Sequence, residues 1–195
     1  TPKIIPTKEN VELIVPDVFN PRYSYGGGKI ISELICLNYY KDFFEKMLIF
    51  RPHNVFGPDM GYEHVIPELI LKANEIRIKT KKKITLKGNG KQKRAFIYIN
   101  DFTDALDKVI KKGKNKNIYN IGNSQEISIM NLAKLILKLM NIKTNINVSS
   151  APVGETTRRC PENSKIRKLG YKQLHSLEDG LKETIDWYIG NKNYE

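Results

Sequence analysis

Tyr25 and Lys29 stand four residues apart in the run Tyr25-Gly26-Gly27-Gly28-Lys29. On a helix that spacing puts both side chains on one face. An ammonium group beside a phenol stabilises the phenolate and lowers its pKa. The tyrosine then becomes a usable proton acceptor or donor near neutral pH. The same pair also occurs on exposed helix faces with no chemistry attached. Three glycines at a helix start each cost about 1 kcal/mol relative to Ala, so they point to close approach of a ligand or of backbone. A phosphate-binding P-loop is excluded, because Lys29 is followed by Ile30 where that loop needs Ser or Thr.

Three further segments carry candidate chemistry. Arg51-Pro52-His53-Asn54-Val55-Phe56-Gly57-Pro58 directly follows the apolar run Met47-Leu48-Ile49-Phe50. Ligand-binding loops of α/β sheets emerge at that end of a strand. Asn54 is either a ligand contact or a turn residue that satisfies its own backbone. Gly88-Asn89-Gly90-Lys91-Gln92-Lys93-Arg94 precedes a short apolar run and Asp101. Arg94 can pair bidentately with a diphosphate, or it is a solvated hairpin charge. Arg158-Arg159 has the same two readings.

The elements that must position these residues alternate between helix and strand, which gives an α/β class. Residues 1–24, with Pro2, Pro6, Pro16 and Pro21, read as a loop. A helix is expected over 25–44, with Ile31, Leu34, Ile35 and Asn38 on one side and Cys36 as a small core residue. Residues 47–50 read as a buried strand. Further helices are expected over 64–76, from Asp101 as cap to 112, over 128–140 behind Ser128, and from Ser176 to about 188. Strands are expected at 84–86, 119–121 and 145–148, and residues 151–164 read as irregular.

The 195 residues suffice for one domain or part of a two-lobed enzyme. The 40% hydrophobic and 28% charged shares describe a soluble, globular chain. No apolar run approaches the roughly 20 residues that span a bilayer, and no signal peptide is expected. The net charge of +12 fits an anionic partner or a lysine-rich solvated surface. No nucleic-acid-binding signature accompanies the basic run at 79–83. Two cysteines and three histidines lack metal-ligand spacing, so no metal is expected. This cysteine usage fits a cytoplasmic protein.

Together the four segments resemble the extended short-chain dehydrogenase/reductase family, in its nucleotide-sugar epimerase and dehydratase branch. Tyr25 and Lys29 match that family's Y-x-x-x-K. Arg51-x-x-Asn54-Val55-Phe56-Gly57-Pro58 matches its R-x-x-N-V-Y-G-P. Gly88-x-Gly90-x-x-x-Arg94-x-Phe96-x-Tyr98-x-x-Asp101 matches its G-x-G-x-x-x-R-D-F-x-x-V-x-D, with Ala95 where Asp is usual. Tyr119-Asn120-Ile121-Gly122 matches Y-N-I-G, and Leu169-Gly170-Tyr171 and Trp187-Tyr188 match the closing motifs. The stretch from Arg51 to Pro67 looks most like the uronate-sugar 4-epimerases.

The resemblance implies a Rossmann-type doubly wound sheet plus a smaller α/β substrate-binding lobe. Residues 1–57 would be the last part of the NAD-binding domain. Residues 58–195 would mainly form the nucleotide-sugar lobe, with about 95–122 returning to the first domain. The implied cofactor is NAD, the substrate a nucleotide-sugar, and the reaction 4-epimerisation through transient oxidation. Tyr25 would be the base. Lys29 would hold the nicotinamide ribose, and His53 would sit near the nicotinamide. Asn54, the Val65-Ile66 region, Arg94 and Arg158 or Arg159 would approach the sugar diphosphate. Thr85, Leu86 and Lys87 would line the nucleobase pocket. A homodimer through the 25–44 helix is implied, with neither nucleic acid nor membrane as partner. The family's glycine-rich pyrophosphate turn and catalytic Ser or Thr are not among these residues. An N-terminal half polypeptide is therefore an expected partner. A 4,6-dehydratase or decarboxylase of the same family, or an inactive nucleotide-sugar-binding remnant, stays open.

Overall fold

The computed structural model describes residues 3–150 and 156–191; Pro2 and residues 151–155 lie outside them. The proline-rich start is irregular and ends in a 3-10 turn, Pro21–Tyr23. Helix α1 spans Ser24–Tyr39 and passes into a second 3-10 turn, Tyr40–Asp42. It therefore stops short of residue 44. Phe43 N and Phe44 N both donate to Tyr40 O, which closes the turn. Then follow strands β1 (Leu48–Pro52) and β2 (Val55–Phe56), helix α2 (Val65–Arg77) and strand β3 (Lys83–Leu86). β4 (Lys93–Ala95) and β5 (Ile97–Tyr98) lead into α3 (Ile99–Lys112) and β6 (Asn117–Ile121). β7 (Glu126–Ser128) precedes α4 (Ile129–Leu139), β8 (Asn145–Val148), β9 (Arg158–Arg159), α5 (Ser164–Lys168) and α6 (Leu177–Gly190).

Among the described residues four of the five strand pairings are parallel: β1 with β6, β2 with β5, β3 with β8, and β4 with β9. β4 also pairs antiparallel with β7. Two apolar cores result. One holds Ile97, Ala105, Val109, Tyr119, Ile121, Ile166 and Tyr171, where α3 and α5 cover the β1–β6 pair. The larger one gathers Phe56, Ile66, Leu69, Ile84, Leu86, Leu132, Ile136, Leu181 and Tyr188 from α2, α4, α6 and the strands between them. Gly180 permits close approach in that core, because a Cβ there would lie 2.6 Å from Tyr98 Cδ2 and 2.8 Å from Phe56 Cζ.

The local signals for α4 and α6 hold. Ser128 Oγ accepts from Asn131 N, and Ser176 Oγ accepts from Asp179 N, each at 3.1 Å. Other expectations are corrected. No residue of α1 is buried, so Ile31, Leu34, Ile35 and Cys36 are exposed rather than core. β1 is half-buried, since β6 lies along one edge of it. Asp101 does not cap α3. It lies inside the first turn, buried, and accepts from Leu174 N, His175 N and His175 Nδ1. It thereby fastens the loop before α6 to α3. The stretch 88–94 is no hairpin, because β3 pairs with β8 instead of β4. Residues 156–164, expected to be irregular, contain β9.

Candidate functional site

Tyr25, Lys29 and Glu33 follow one another at four-residue spacing along α1 and so share a stripe. Lys29 Nζ lies 5.3 Å from the centroid of the Tyr25 ring. Glu33 takes a bidentate hydrogen bond from Arg51 of β1, with both nitrogens at 2.7 Å. Arg51 also donates to Glu9 O at 3.0 Å. This half-buried fork ties the stripe to the carboxyl end of β1. Sequence reasoning missed Glu33, although its spacing continues that of the pair before it. Between α1, β1 and the initial segment lies a cavity of about 1440 Å³, lined in part by Tyr25, Lys29, Glu33 and Arg51. Tyr25 is 75% exposed. A Cβ on Gly26 or Gly28 would meet nothing within 4 Å, so no described backbone approaches these glycines closely.

His53 and Asn54 occupy the turn from β1 to β2. His53 Nε2 lies 3.1 Å from Asn120 Oδ1. Burial lowers the His53 pKa below the ordinary 6.5, the Asn120 bond and Glu9 oppose that, and Arg51 and Arg159 add to it. Asn54 adopts a left-handed backbone at φ 44°, where asparagine is tolerated better than most residues. Its Nδ2 donates to Ala95 O at 2.9 Å, not to its own turn.

Ala95 is the neighbour of Arg94 on β4, and β4 lies in register with β9, pairing Lys93 with Arg158 and Arg94 with Arg159. Successive strand residues face opposite sides. Arg159 therefore shares a face with Arg94, whereas Arg158 shares one with Lys93. Arg94 donates to Lys93 O and to Thr156 O. Arg158 is committed to Glu126, whose carboxyl it holds below the usual range. The structure thus gathers His53, Asn54, Arg94 and Arg159 at adjoining strand ends. Arg158 faces away from them.

The remaining predicted positions lie on α2 and at β3. Val65 is half-buried in the first turn of α2, and Ile66 is sealed in the core. On β3, Thr85 is exposed and its carbonyl accepts from Lys72, and Leu86 is buried; Lys87, just after the strand, lies 3.5 Å from Glu68. Among the described residues no His, Cys, Asp and Glu cluster could hold a metal ion. No described helix is long and apolar enough to cross a membrane.

The lowered His53 pKa predicts a pH effect on stability. The unfolded chain takes up this proton first as pH falls below about 6.5, so stability present above that value is lost below it. The Tm should drop between about pH 7 and pH 5, and by less in His53→Gln. Equal drops in both proteins would remove His53 as the cause.

A family model described as the NAD dependent epimerase/dehydratase family matches residues 2–122. A dTDP-D-glucose 4,6-dehydratase of Dictyostelium discoideum is 30% identical over 213 residues, covering 91% of this chain and 48% of the relative. Its Homo sapiens counterpart is 32% identical, covering 88% and 49%. The chain spans about half the length of these two relatives. Among solved structures, a dTDP-glucose 4,6-dehydratase from Bacillus anthracis in complex with NAD superposes with TM-score 0.77 at 25% identity, over 95% of this chain and 58% of that one. A UDP-glucose 4-epimerase from Thermotoga maritima with UDP-glucose reaches TM-score 0.81 at 22% identity, over 97% and 59%, and shows the fold alone. The parallel strand pairs with their covering helices belong to a Rossmann-type fold, and the chain belongs to the NAD dependent epimerase/dehydratase family.

Proposed function

We propose that this chain carries the nucleotide-sugar lobe and the Tyr–Lys pair of an NAD-dependent nucleotide-sugar 4-epimerase. The observation that carries the reading is the stripe Tyr25, Lys29, Glu33, anchored on Arg51 at the edge of a large cavity. The residues present fit the nicotinamide end of the cofactor: a cation and a phenol on one wall, and an imidazole at the strand end beyond it. The pyrophosphate cradle is assigned to residues other than these, supplied by an N-terminal half of the enzyme. Residues 1–57, with about 95–122 returning to them, are assigned to the cofactor domain and the rest mainly to the sugar lobe.

NAD, when bound, supplies the hydride acceptor and donor. Tyr25 takes the proton of the sugar 4-hydroxyl as that carbon is oxidised, and returns it after reduction from the opposite face. Lys29 holds the ribose, its ammonium 5.3 Å from the centroid of the Tyr25 ring. Asn54, Arg94 and Arg159 hold the diphosphate, the two guanidinium groups neutralising its charge. Val65 and Ile66 set the α2 backbone beside the sugar, and Thr85, Leu86 and Lys87 flank the base. The outward stripe of Ile31, Leu34 and Ile35 is assigned to a second copy of the chain.

A 4,6-dehydratase is the second reading, favoured by several curated dehydratase relatives at 30–32% identity. Supplying the completed assembly with UDP-glucose and dTDP-glucose separates the readings. An epimer supports the first, a 4-keto-6-deoxy sugar the second, and no turnover of any nucleotide-sugar supports a binding remnant. Arg94→Ala is expected to weaken nucleotide-sugar binding by about 1.5–3 kcal/mol, roughly 10- to 150-fold in Kd. Calorimetry with UDP-glucose and dTDP-glucose measures it. An unchanged Kd would take Arg94 out of the site.

A further inference from the structure

Asn120 lies on β6 and is 2% exposed. Its side-chain amide meets three partners from distant parts of the chain. Nδ2 donates to Thr7 O at 3.0 Å and to Glu162 O at 3.2 Å. Oδ1 lies 3.1 Å from His53 Nε2. A primary amide is symmetric enough in shape that its two ends are assigned by their partners. Here the partners leave one choice. Two backbone carbonyls can only accept, so the nitrogen faces them and both its hydrogens are spent. Oδ1 is an acceptor, so the bond to His53 requires a hydrogen on Nε2. Neutral imidazole carries a single N–H. The other ring nitrogen, Nδ1, is then bare, and among the described residues it has no hydrogen-bond partner.

We infer that Asn120 is a positioning residue that locks His53 in the Nε2–H tautomer, so that Nδ1 is kept as a hydrogen-bond acceptor for a ligand. The matching ligand atom is an N–H or O–H donor, such as a carboxamide or a sugar hydroxyl. Carbonyl and phosphate oxygens are disfavoured there. The inference rests on the placement of His53 beside the nicotinamide and sugar. Two further observations support it. Burial acts against a second proton on the ring, as do Arg51 and Arg159, while the Asn120 bond and Glu9 act for it. Gly122 lets the ring sit against the end of β6, since a Cβ there would lie 2.8 Å from His53 Cβ and 2.7 Å from Pro161 Cγ. The same amide also sets where the ring stands relative to Arg159. It binds Glu162 O on the segment that follows β9, and Thr7, which itself bonds to Cys160 O and receives Glu162 N.

The test is a long-range proton–nitrogen correlation spectrum of the imidazoles in the uniformly nitrogen-15-labelled chain, without ligand, above neutral pH. His53→Gln assigns the signal. The expected pattern for His53 is a single Nε2–H tautomer. In Asn120→Ala the pattern should move towards an exchange-averaged mixture. In Asn120→Asp, which keeps an acceptor but loses both donors, the Nε2–H form should persist. A wild-type Nδ1–H pattern or a wild-type mixture overturns the proposal, as does an unchanged pattern in Asn120→Ala. Should that variant fail to fold, the wild-type spectrum still decides. Because no substrate or cofactor is present, a failure here leaves the role of Tyr25 standing, and loss of that role leaves the tautomer standing.

Discussion

Tyr25→Phe is expected to lower turnover in the cofactor-competent assembly by about 10²- to 10⁴-fold, the range for removing a positioned proton-transfer group. Nucleotide-sugar affinity should stay within about a factor of two, since an exposed surface group contributes little to binding or folding elsewhere. The split follows from where the residue stands. The Tyr25 side chain is exposed on α1 beside the Lys29 ammonium and lines the cavity. Its hydroxyl holds no part of either core together. Single-turnover measurement with the nucleotide-sugar, paired with calorimetric Kd, separates the two effects. Equal turnover in the variant removes Tyr25 from the chemistry. A parallel loss of affinity would instead mean that the phenol holds the sugar rather than moving its proton.

Phe56→Ala is expected to destabilise the chain by about 3–5 kcal/mol, as large-to-small changes at sealed aromatic sites do. Phe56 is 1% exposed and packs edge-on against Phe96, with ring centroids 6.2 Å apart, and against Tyr98 at 5.5 Å. Gly180 closes over it from α6 with no side chain that could fill the void. Against a typical total of about 5–15 kcal/mol, such a loss is a large share of the stability. The effect reaches the site as well, because Phe56 ends the segment that begins with Arg51, His53 and Asn54. Urea titration gives the change directly. A shift below about 1 kcal/mol, within the ordinary run of substitutions, would mean that the core collapses onto the gap.

The sequence made the locally signalled elements legible. Ser128 and Ser176 each begin a helix because a hydroxyl one step outside an apolar stripe meets an orphan N–H within the same turn. β8 matches its expected span for a similar reason, a short β-branched alternation between polar breaks. What escaped was long-range. Arg158-Arg159 carries no strand pattern of its own and becomes β9 only because β4 lies beside it. Asp101 looked like a helix cap, and burial against the segment before α6 turned it into an acceptor for that segment. α1 carries the pattern of a buried helix, yet its apolar stripe faces outward in the single chain. In the site, each motif could be found one at a time. That Arg159 rather than Arg158 stands beside Arg94 needed the strand register. The role of Asn120 needed three carbonyl and imidazole partners that no spacing rule connects.

The Asn120 amide also bears on the order in which the molecule assembles. Its bonds to Thr7 and Glu162 close sequence separations of 113 and 42 residues, and its bond to His53 closes one of 67. Helices such as α4 and α6 can form from neighbours alone, whereas a junction of this kind repays its loop-closure entropy only once all its segments are nearby. It is expected to be among the last contacts made during folding and among the first lost under strain. The orientation of His53 would then report on completed folding: a chain with its helices formed and both cores condensed could still lack a working site until this one amide found its partners.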